Sequence, residues 1–419
     1  MKYLAYKNLN NKTELYVENV SLSSVAKQVG TPFYCYSKKN LIDNYLDFVG
    51  AFKIHKITNY KICYAIKANY NLEVVRVLAG LNSGIDAVSA GEIHRALKAG
   101  INPEKIVFAG VGKTREDMVF ALKNGVEEFS VESIDEMFLL NEVASILGKK
   151  VKFSLRVNPD VDAKTHHKIS TGKKGDKFGV EMDQVLEAYN VASKLPALEI
   201  FGISMHIGSQ INSIEPFKSA FARLRKLCIT LNESGFRIKN LDFGGGVGIN
   251  YREDSTLDLN EYVALIKDIT RDLNVSITVA PGRAIVGNAG ILITKAIYLK
   301  ETSAKNFVII DAGINDLMRP GLYGSYHAVL PVHKRTGHID MFDFAGPVCE
   351  STDILATSRQ LVIPKTNDLF AFLSAGAYGS SMANEYNCRP LVPEVMVDGD
   401  DFKIIRRRPN FDEMLHLEV

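Results

Sequence analysis

From about residue 60 the chain repeats one unit: a short apolar run, a polar turn, a helix with its apolar positions on one stripe, then a glycine. After "GIDAVSAGE", Ser89 and Glu92 have the spacing of a capping box, which predicts a helix start. Ile93, Ala96 and Leu97 form its stripe and Gly100 suits its end. The next unit reads "KIVFAG", then Thr114 with Asp117, then Met118, Ala121, Leu122 and Gly125. The one after reads "EEFSVE", then Ser133 with Glu136, then Met137, Leu140, Ala144 and Gly148. Candidate strands begin near residues 61, 84, 105, 127, 151, 199, 240 and 275. Most are continuous apolar runs, as in parallel strands buried on both faces. Eight strands alternating with helices predict an α/β fold, a (β/α)8 barrel. A doubly wound open sheet gives the same count, because counting does not show closure.

After residue 290 helical stripes give way to β-rich runs: "ILITKAIYL", "KNFVIID", "RQLVIP" and "PEVMVDGDDFKII", the last with a turn at Asp398-Gly399. This predicts a second, mainly β domain of residues 286–419, joined by residues 1–29, which are too short to fold alone. The barrel is expected over residues 30–285.

Composition narrows the function classes. Hydrophobic content of 46% and charged content of 23% are ordinary for a soluble globular chain. The net charge of +2, from 50 basic and 48 acidic residues, gives no reason to expect nucleic acid or an anionic membrane as partner. The five cysteines are scattered and lack CxxC spacing, which argues against a disulfide framework and a metal site. "MKYLAYKNLNNKTELY" lacks the apolar centre of a signal peptide, and no run approaches a membrane span, so a cytoplasmic protein is expected.

In a (β/α)8 barrel the chemistry sits at the C-terminal ends of the strands. Lys67 ends strand one in "ICYAIKAN", although a lysine is costly to bury as a cation. Taken alone it reads as a strand-end side chain reaching for water. Asp86 and Ser89 lie at strand two, "HIGSQ" (206–210) at strand six, "GGGVG" (244–248) at strand seven and "PGR" (281–283) at strand eight. A glycine run alone is usually a tight turn, and a single histidine is more often structural. Glycine-rich loops after strands seven and eight are nevertheless common phosphate sites, through backbone N–H groups. A lysine beside such loops suggests a Schiff base to a phosphorylated aldehyde. Pyridoxal 5′-phosphate fits, with His206 stacked on its ring. A lysine-dependent aldolase would share these features but leave the β domain unexplained.

"YAIKAN", "HIGSQ", "LDFGGGVG", "PGRAIVGNAG", "GPVCESTD" and "GAYGSSMANEYNCRP" occur in the order of the diaminopimelate decarboxylase family, which the chain resembles from Gly30 to Pro390. That family belongs to the pyridoxal-phosphate group shared with alanine racemase and ornithine decarboxylase. The resemblance implies a decarboxylase of meso-2,6-diaminopimelate that yields L-lysine and carbon dioxide, the last step of lysine biosynthesis. It implies Lys67 as the Schiff-base lysine, with Asp86, His206, Ser209, Gly245, Gly246, Ala280, Pro281, Gly282, Arg283 and Tyr378 around the cofactor. It implies Cys349 as proton donor. It also implies a homodimer in which "CESTD" reaches the partner's active site, and no metal. Arg283, Arg319, Tyr323, Glu350 and Tyr378 match the family's substrate groups. Two arginines suit a distal carboxylate through bidentate contacts and would repel ornithine, which has only an ammonium there.

One position departs from the pattern. Where the family usually carries a glutamate before "PGR", to hold the cofactor's ring nitrogen, this chain has Ala280. That leaves a second reading, a pyridoxal-phosphate-binding relative with impaired or no decarboxylation. A third is a decarboxylase of another basic amino acid.

Overall fold

The computed structural model describes residues 2–9, 12–162, 171–172, 175–252 and 256–419. The chain divides into two compact units. One comprises Tyr45–Ile249 and Ser255–Ala284, the other Met1–Asn44, Asn250–Asp254 and Ile285–Val419.

The first unit is a closed barrel of eight parallel strands. In order they are Tyr60–Ala65, Gly84–Ala87, Ile106–Phe108, Glu128–Val131, Val151–Asn158, Leu198–Ser204, Asn240–Asp242 and Ser276–Val279. Each pairs with the next, and strand eight returns to strand one with Ile277 opposite Tyr60. The open sheet is thereby excluded. The strands start where the apolar runs predict, because a strand buried on both faces must be apolar along its length.

The barrel interior is polar as well as aliphatic. Lys61 on strand one meets Glu128 on strand four at 2.5 Å. Those strands are not neighbours, so the pair spans the barrel. The hydroxyls of Ser130 and Ser204, on strands four and six, lie 2.7 Å apart.

The helices begin at the predicted caps. Thr114 and Asp117 form a complete capping box ahead of Arg115–Lys123. Ser89 and Ser133 accept from the N–H groups of Glu92 and Glu136. Their glutamates reach back one residue further than a capping box requires, to the N–H groups of Val88 and Glu132. The predicted stripes turn inward: Ile93, Ala96, Met118, Ala121, Leu122, Met137, Leu140 and Ala144 are buried, and Leu97 is half-buried at the stripe's edge. No helix among the described residues is long and apolar enough to cross a membrane.

The second unit is built on the strand Gly290–Glu301, which pairs with Asn306–Ile310, Leu369–Phe372 and Phe33–Ser37. Residues alternate between its two faces. Leu292 and Ala296 join one apolar core with Tyr34 and Tyr36. Ile291 and Ile293 join another with Phe33 and Cys35. Glu394–Asp398 and Asp401–Arg406 form the expected hairpin, with Gly399 at φ 66 in its turn.

Here the structure departs from the expected boundary at residue 30. Phe33–Ser37, buried throughout, pairs with Gly290–Glu301 and Glu394–Asp398 rather than with any barrel strand. Residues up to Asn44, and the segment Asn250–Asp254, group with the β-rich unit. A short run buried on both faces looks the same in either sheet, so only its pairing assigns it.

Candidate active site

Lys67 lies on a single turn of 3-10 helix, Ile66–Ala68, directly after strand one. Strand two, next to it, carries Asp86 opposite Ala65. The Lys67 ammonium is therefore held by the Asp86 carboxylate at 2.8 Å, with 38% of the lysine side chain exposed and 13% of the aspartate. The lysine is neither buried bare nor released into water; it is paired at the rim.

The three glycines after strand seven are dictated by close backbone approach. A Cβ on Gly244 would lie 2.3 Å from the Met205 carbonyl oxygen. On Gly245 it would lie 2.2 Å from that of Ala280, and on Gly246 2.7 Å from that of Gly208. Gly244 and Gly246 also have φ of 65 and 110, a region that favours glycine. The loop is clamped between the ends of strands six and eight, and the Ala280 N–H donates to the Gly244 carbonyl at 2.7 Å.

Strand eight's loop in turn sits on strand one. The Ala65 N–H donates to the Pro281 carbonyl at 3.1 Å, and a Cβ on Gly282 would lie 3.1 Å from the Ala65 oxygen. Arg283, buried, donates to the Ser209 hydroxyl at 3.1 and 3.3 Å. Lys67, His206, Ser209, the 244–246 glycines and residues 280–283 are thus brought to one end of the barrel.

His206 accepts from the Gly245 N–H through Nδ1 at 3.2 Å, so its ring proton belongs on Nε2. Burial, reinforced by the Arg156 and Lys67 cations, holds the ring well below its ordinary pKa. It presents a neutral, flat face at neutral pH.

Asp242, which ends strand seven in the "NLDFGGG" run, is a group to which no sequence motif gave a role. Its carboxylate accepts from the Gly244 N–H at 2.8 Å and so helps set the glycine loop. Burial pushes its pKa up from 3.8 to about 7; Asp86 and Glu128 add to this, while the Gly244 N–H and Lys61 oppose it. Between those pH values the folded protein keeps a proton that the unfolded chain has released. The stability from this group is present near pH 4 and lost as pH rises through about 7. Urea midpoints of wild type and Asp242→Asn should therefore diverge with pH, the variant gaining relative to wild type between about pH 5 and pH 8. An unchanged gap would contradict a raised carboxyl.

The β-rich unit holds the remaining candidates. Arg319 is buried at the start of the short helix Arg319–Tyr323. Its guanidinium donates to His327 Nε2 at 2.8 Å, and His327 Nδ1 donates to the Leu373 carbonyl at 2.7 Å. The guanidinium also lies 4.7 Å from the Tyr251 ring centre. His327 and Tyr251, which position this cation, carry no sequence signal; each is a lone residue far from Arg319 or outside any motif.

Gly321 brings the same helix against the "CESTD" loop, since a Cβ there would lie 3.1 Å from the Thr352 carbonyl oxygen. Asp353 anchors that loop by accepting N–H donors from Val348 and Ile314, each at 2.6 Å. Cys349 and Glu350 stay exposed at its tip. Thr352 donates to the Glu350 carboxylate at 2.9 Å. Tyr323 and Tyr378 are half-buried, and Tyr378 has a left-handed backbone with φ 55.

The barrel residues match the needs of pyridoxal 5′-phosphate. They offer a paired rim lysine for the aldehyde, a neutral aromatic face for the ring, and a glycine cradle too tight for any Cβ beside the Ser209 hydroxyl for the phosphate. These are the features of a barrel enzyme that works through a lysine-held aldehyde cofactor.

Comparison with known proteins agrees. The family described as "Pyridoxal-dependent decarboxylase, pyridoxal binding domain" matches residues 25–287. The chain is 44% identical to diaminopimelate decarboxylase of Aquifex aeolicus over 98% of this chain and 96% of that protein. It is 45% identical to that of Vibrio cholerae over 99% and 98%. The crystal structure of the Helicobacter pylori diaminopimelate decarboxylase complexed with L-lysine superposes with a TM-score of 0.91 at 40% identity, over 94% of this chain and 98% of that one. The chain belongs to the diaminopimelate decarboxylase family of pyridoxal-dependent decarboxylases.

Proposed function

We propose that this chain decarboxylates meso-2,6-diaminopimelate to L-lysine and carbon dioxide, as a cytoplasmic homodimer. The observation that carries the reading is the Lys67–Asp86 pair at 2.8 Å on the rim that also holds the glycine cradle. When bound, pyridoxal phosphate supplies an electron sink for the carbanion left as the carboxylate departs.

The chain's own residues do the rest. Lys67 would hold the aldehyde, for which it needs a neutral amine; Asp86 Oδ2, 2.8 Å away, is in reach of its proton. His206, kept neutral and with its Nδ1 engaged by Gly245, would offer its flat face to the ring. Gly245, Gly246, Gly282 and the Ser209 hydroxyl would hold the phosphate, and Arg283 fixes Ser209. The resemblance assigns Arg283, Arg319 and Tyr323 to the distal carboxylate, and Glu350 to the distal ammonium. His327 and Tyr251 hold the Arg319 guanidinium in one pose, which lowers the entropy lost on binding. Cys349 Sγ gives the proton that replaces the lost carboxylate, and Tyr378 lines the reacting end. The resemblance assigns Cys349 and Glu350 to the partner subunit's reaction.

The test is carbon dioxide release by the purified protein with pyridoxal phosphate. meso-Diaminopimelate should exceed ornithine and lysine in kcat/KM by well over tenfold, since a charge-assisted contact is worth about 1.5–3 kcal/mol. Equal turnover of ornithine would remove the carboxylate clamp and favour another basic amino acid.

A further inference from the structure

His327 and Tyr251 hold Arg319 directly, and each has a neighbour in sequence that is itself tied down. Tyr326 precedes His327, and Arg252 follows Tyr251. The Arg252 guanidinium lies 4.4 Å from the Tyr326 ring centre, and that of Arg359 lies 4.1 Å from the same centre. Tyr326 is half-buried and Arg252 exposed. Arg359 stands on the strand Ile354–Val362, opposite Phe342 of the neighbouring strand. It donates to the Thr357 carbonyl of its own strand at 2.8 Å and to the His327 carbonyl at 3.0 Å. The Tyr251 and His327 rings meet edge to face, their centres 5.5 Å apart. The contact of 252 with 326 therefore runs beside that of 251 with 327, and Arg359 anchors both to the sheet.

We propose that Arg252, Tyr326 and Arg359 form a clasp that positions Arg319 and so sets how tightly the distal carboxylate of the substrate is bound, an inference that rests on the role proposed for Arg319 above. A guanidinium is attracted to the negative face of an aromatic ring. Tyr326 thus takes one arginine from the sheet and another from the residue next to Tyr251. Pinning Arg252 pins Tyr251 against the Arg319 guanidinium, and the Arg359 bond to the His327 carbonyl pins the other support. The three act as positioning residues and need not touch the substrate. They restrict Tyr251 and His327, and hence Arg319, before the substrate arrives, and freedom already lost is not lost again on binding. An arginine free to take several poses meets the carboxylate in only a fraction of them, which weakens its apparent affinity by that fraction. The effect falls on binding rather than on bond breaking, because the distal end takes no part in the reaction.

The test compares Tyr326→Leu, Tyr326→Phe and Arg252→Met as cofactor-loaded, full-length proteins. Tyr326→Leu and Arg252→Met should raise KM for meso-diaminopimelate about tenfold with kcat unchanged, the signature of lost binding rather than lost chemistry. Tyr326→Phe keeps the ring and should keep the wild-type KM. Inhibition by L-lysine, which retains the distal carboxylate, should weaken in step with KM. Inhibition by 1,5-diaminopentane, which has no carboxylate, should not change. Crystal structures should show the Arg319–His327 contact opened in Tyr326→Leu and kept in Tyr326→Phe. That arm needs no turnover, so it decides the clasp even where the wild type releases no carbon dioxide from meso-diaminopimelate, a result that would fell the proposed reaction alone. An Arg319 that stays in place in Tyr326→Leu overturns the clasp, as does a fall in kcat at constant KM or a Tyr326→Phe as impaired as Tyr326→Leu. Arg252→Met changes an exposed side chain, and the same readings on it decide the matter where Tyr326→Leu does not fold.

Discussion

Lys67→Ala is expected to lower decarboxylation by on the order of 10⁴–10⁶-fold, the scale seen when a covalent catalytic group is deleted. The variant should remain folded. Lys67 lies beyond the end of strand one, on a single turn, and over a third of its side chain is in solvent. The substitution removes a partly exposed ion pair, worth about 1 kcal/mol or less. The functional loss has a separate cause: no other amine takes the aldehyde at that rim in the proposed arrangement. Borohydride reduction should fix the cofactor to wild type and release none on denaturation, whereas Lys67→Ala should release it all. Cofactor retained by the reduced, denatured variant would sink the assignment, and a collapsed circular dichroism spectrum would make Lys67 structural instead.

Ala280→Glu is expected to raise kcat by at least tenfold. The resemblance puts position 280 against the cofactor's ring nitrogen, where an acid keeps the ring protonated and able to accept charge. Removing one preorganised electrostatic partner from a reacting centre costs on the order of 10²–10³ in rate, so restoring one should recover part of that. Ala280 is half-buried at the barrel end, and its backbone is fixed independently of its side chain by the Gly244 carbonyl at 2.7 Å. KM for meso-diaminopimelate should change little, because the distal carboxylate and ammonium are met by other residues. If kcat is unchanged or falls, a different acid already serves the ring; Asp242, held partly protonated near neutrality by burial, is the first to substitute.

Much of this protein was legible in order along the chain. Strand positions, helix starts and the (β/α)8 class followed from local rules: a buried parallel strand must be continuously apolar, and a helix start must satisfy its free N–H groups. Thr114, Ser89 and Ser133 cap where their spacing says, though only Thr114 closes the full box. Lys67, His206, the 244–246 glycines and "PGR" each have an ordinary reading alone and stood out because all fall at strand ends, the places that the structure brings to one end of the barrel. The steric demand behind the glycines was not, since it lies in carbonyl oxygens of the loops after strands six and eight.

The type and order of the elements, and the residues unusual for their place, were therefore written along the chain. Ring closure through Ile277 and Tyr60, the cross-barrel Lys61–Glu128 pair, and the transfer of Phe33–Ser37 to the β-rich sheet were fixed only by folding in three dimensions. So was the hold of His327 and Tyr251 on Arg319. The physical reason is the range of the interactions. Periodic burial and capping act within a turn or a pleat and leave a mark in neighbouring residues. A partner tens or hundreds of residues away is chosen by packing and pairing, and no residue type next to either partner records that choice.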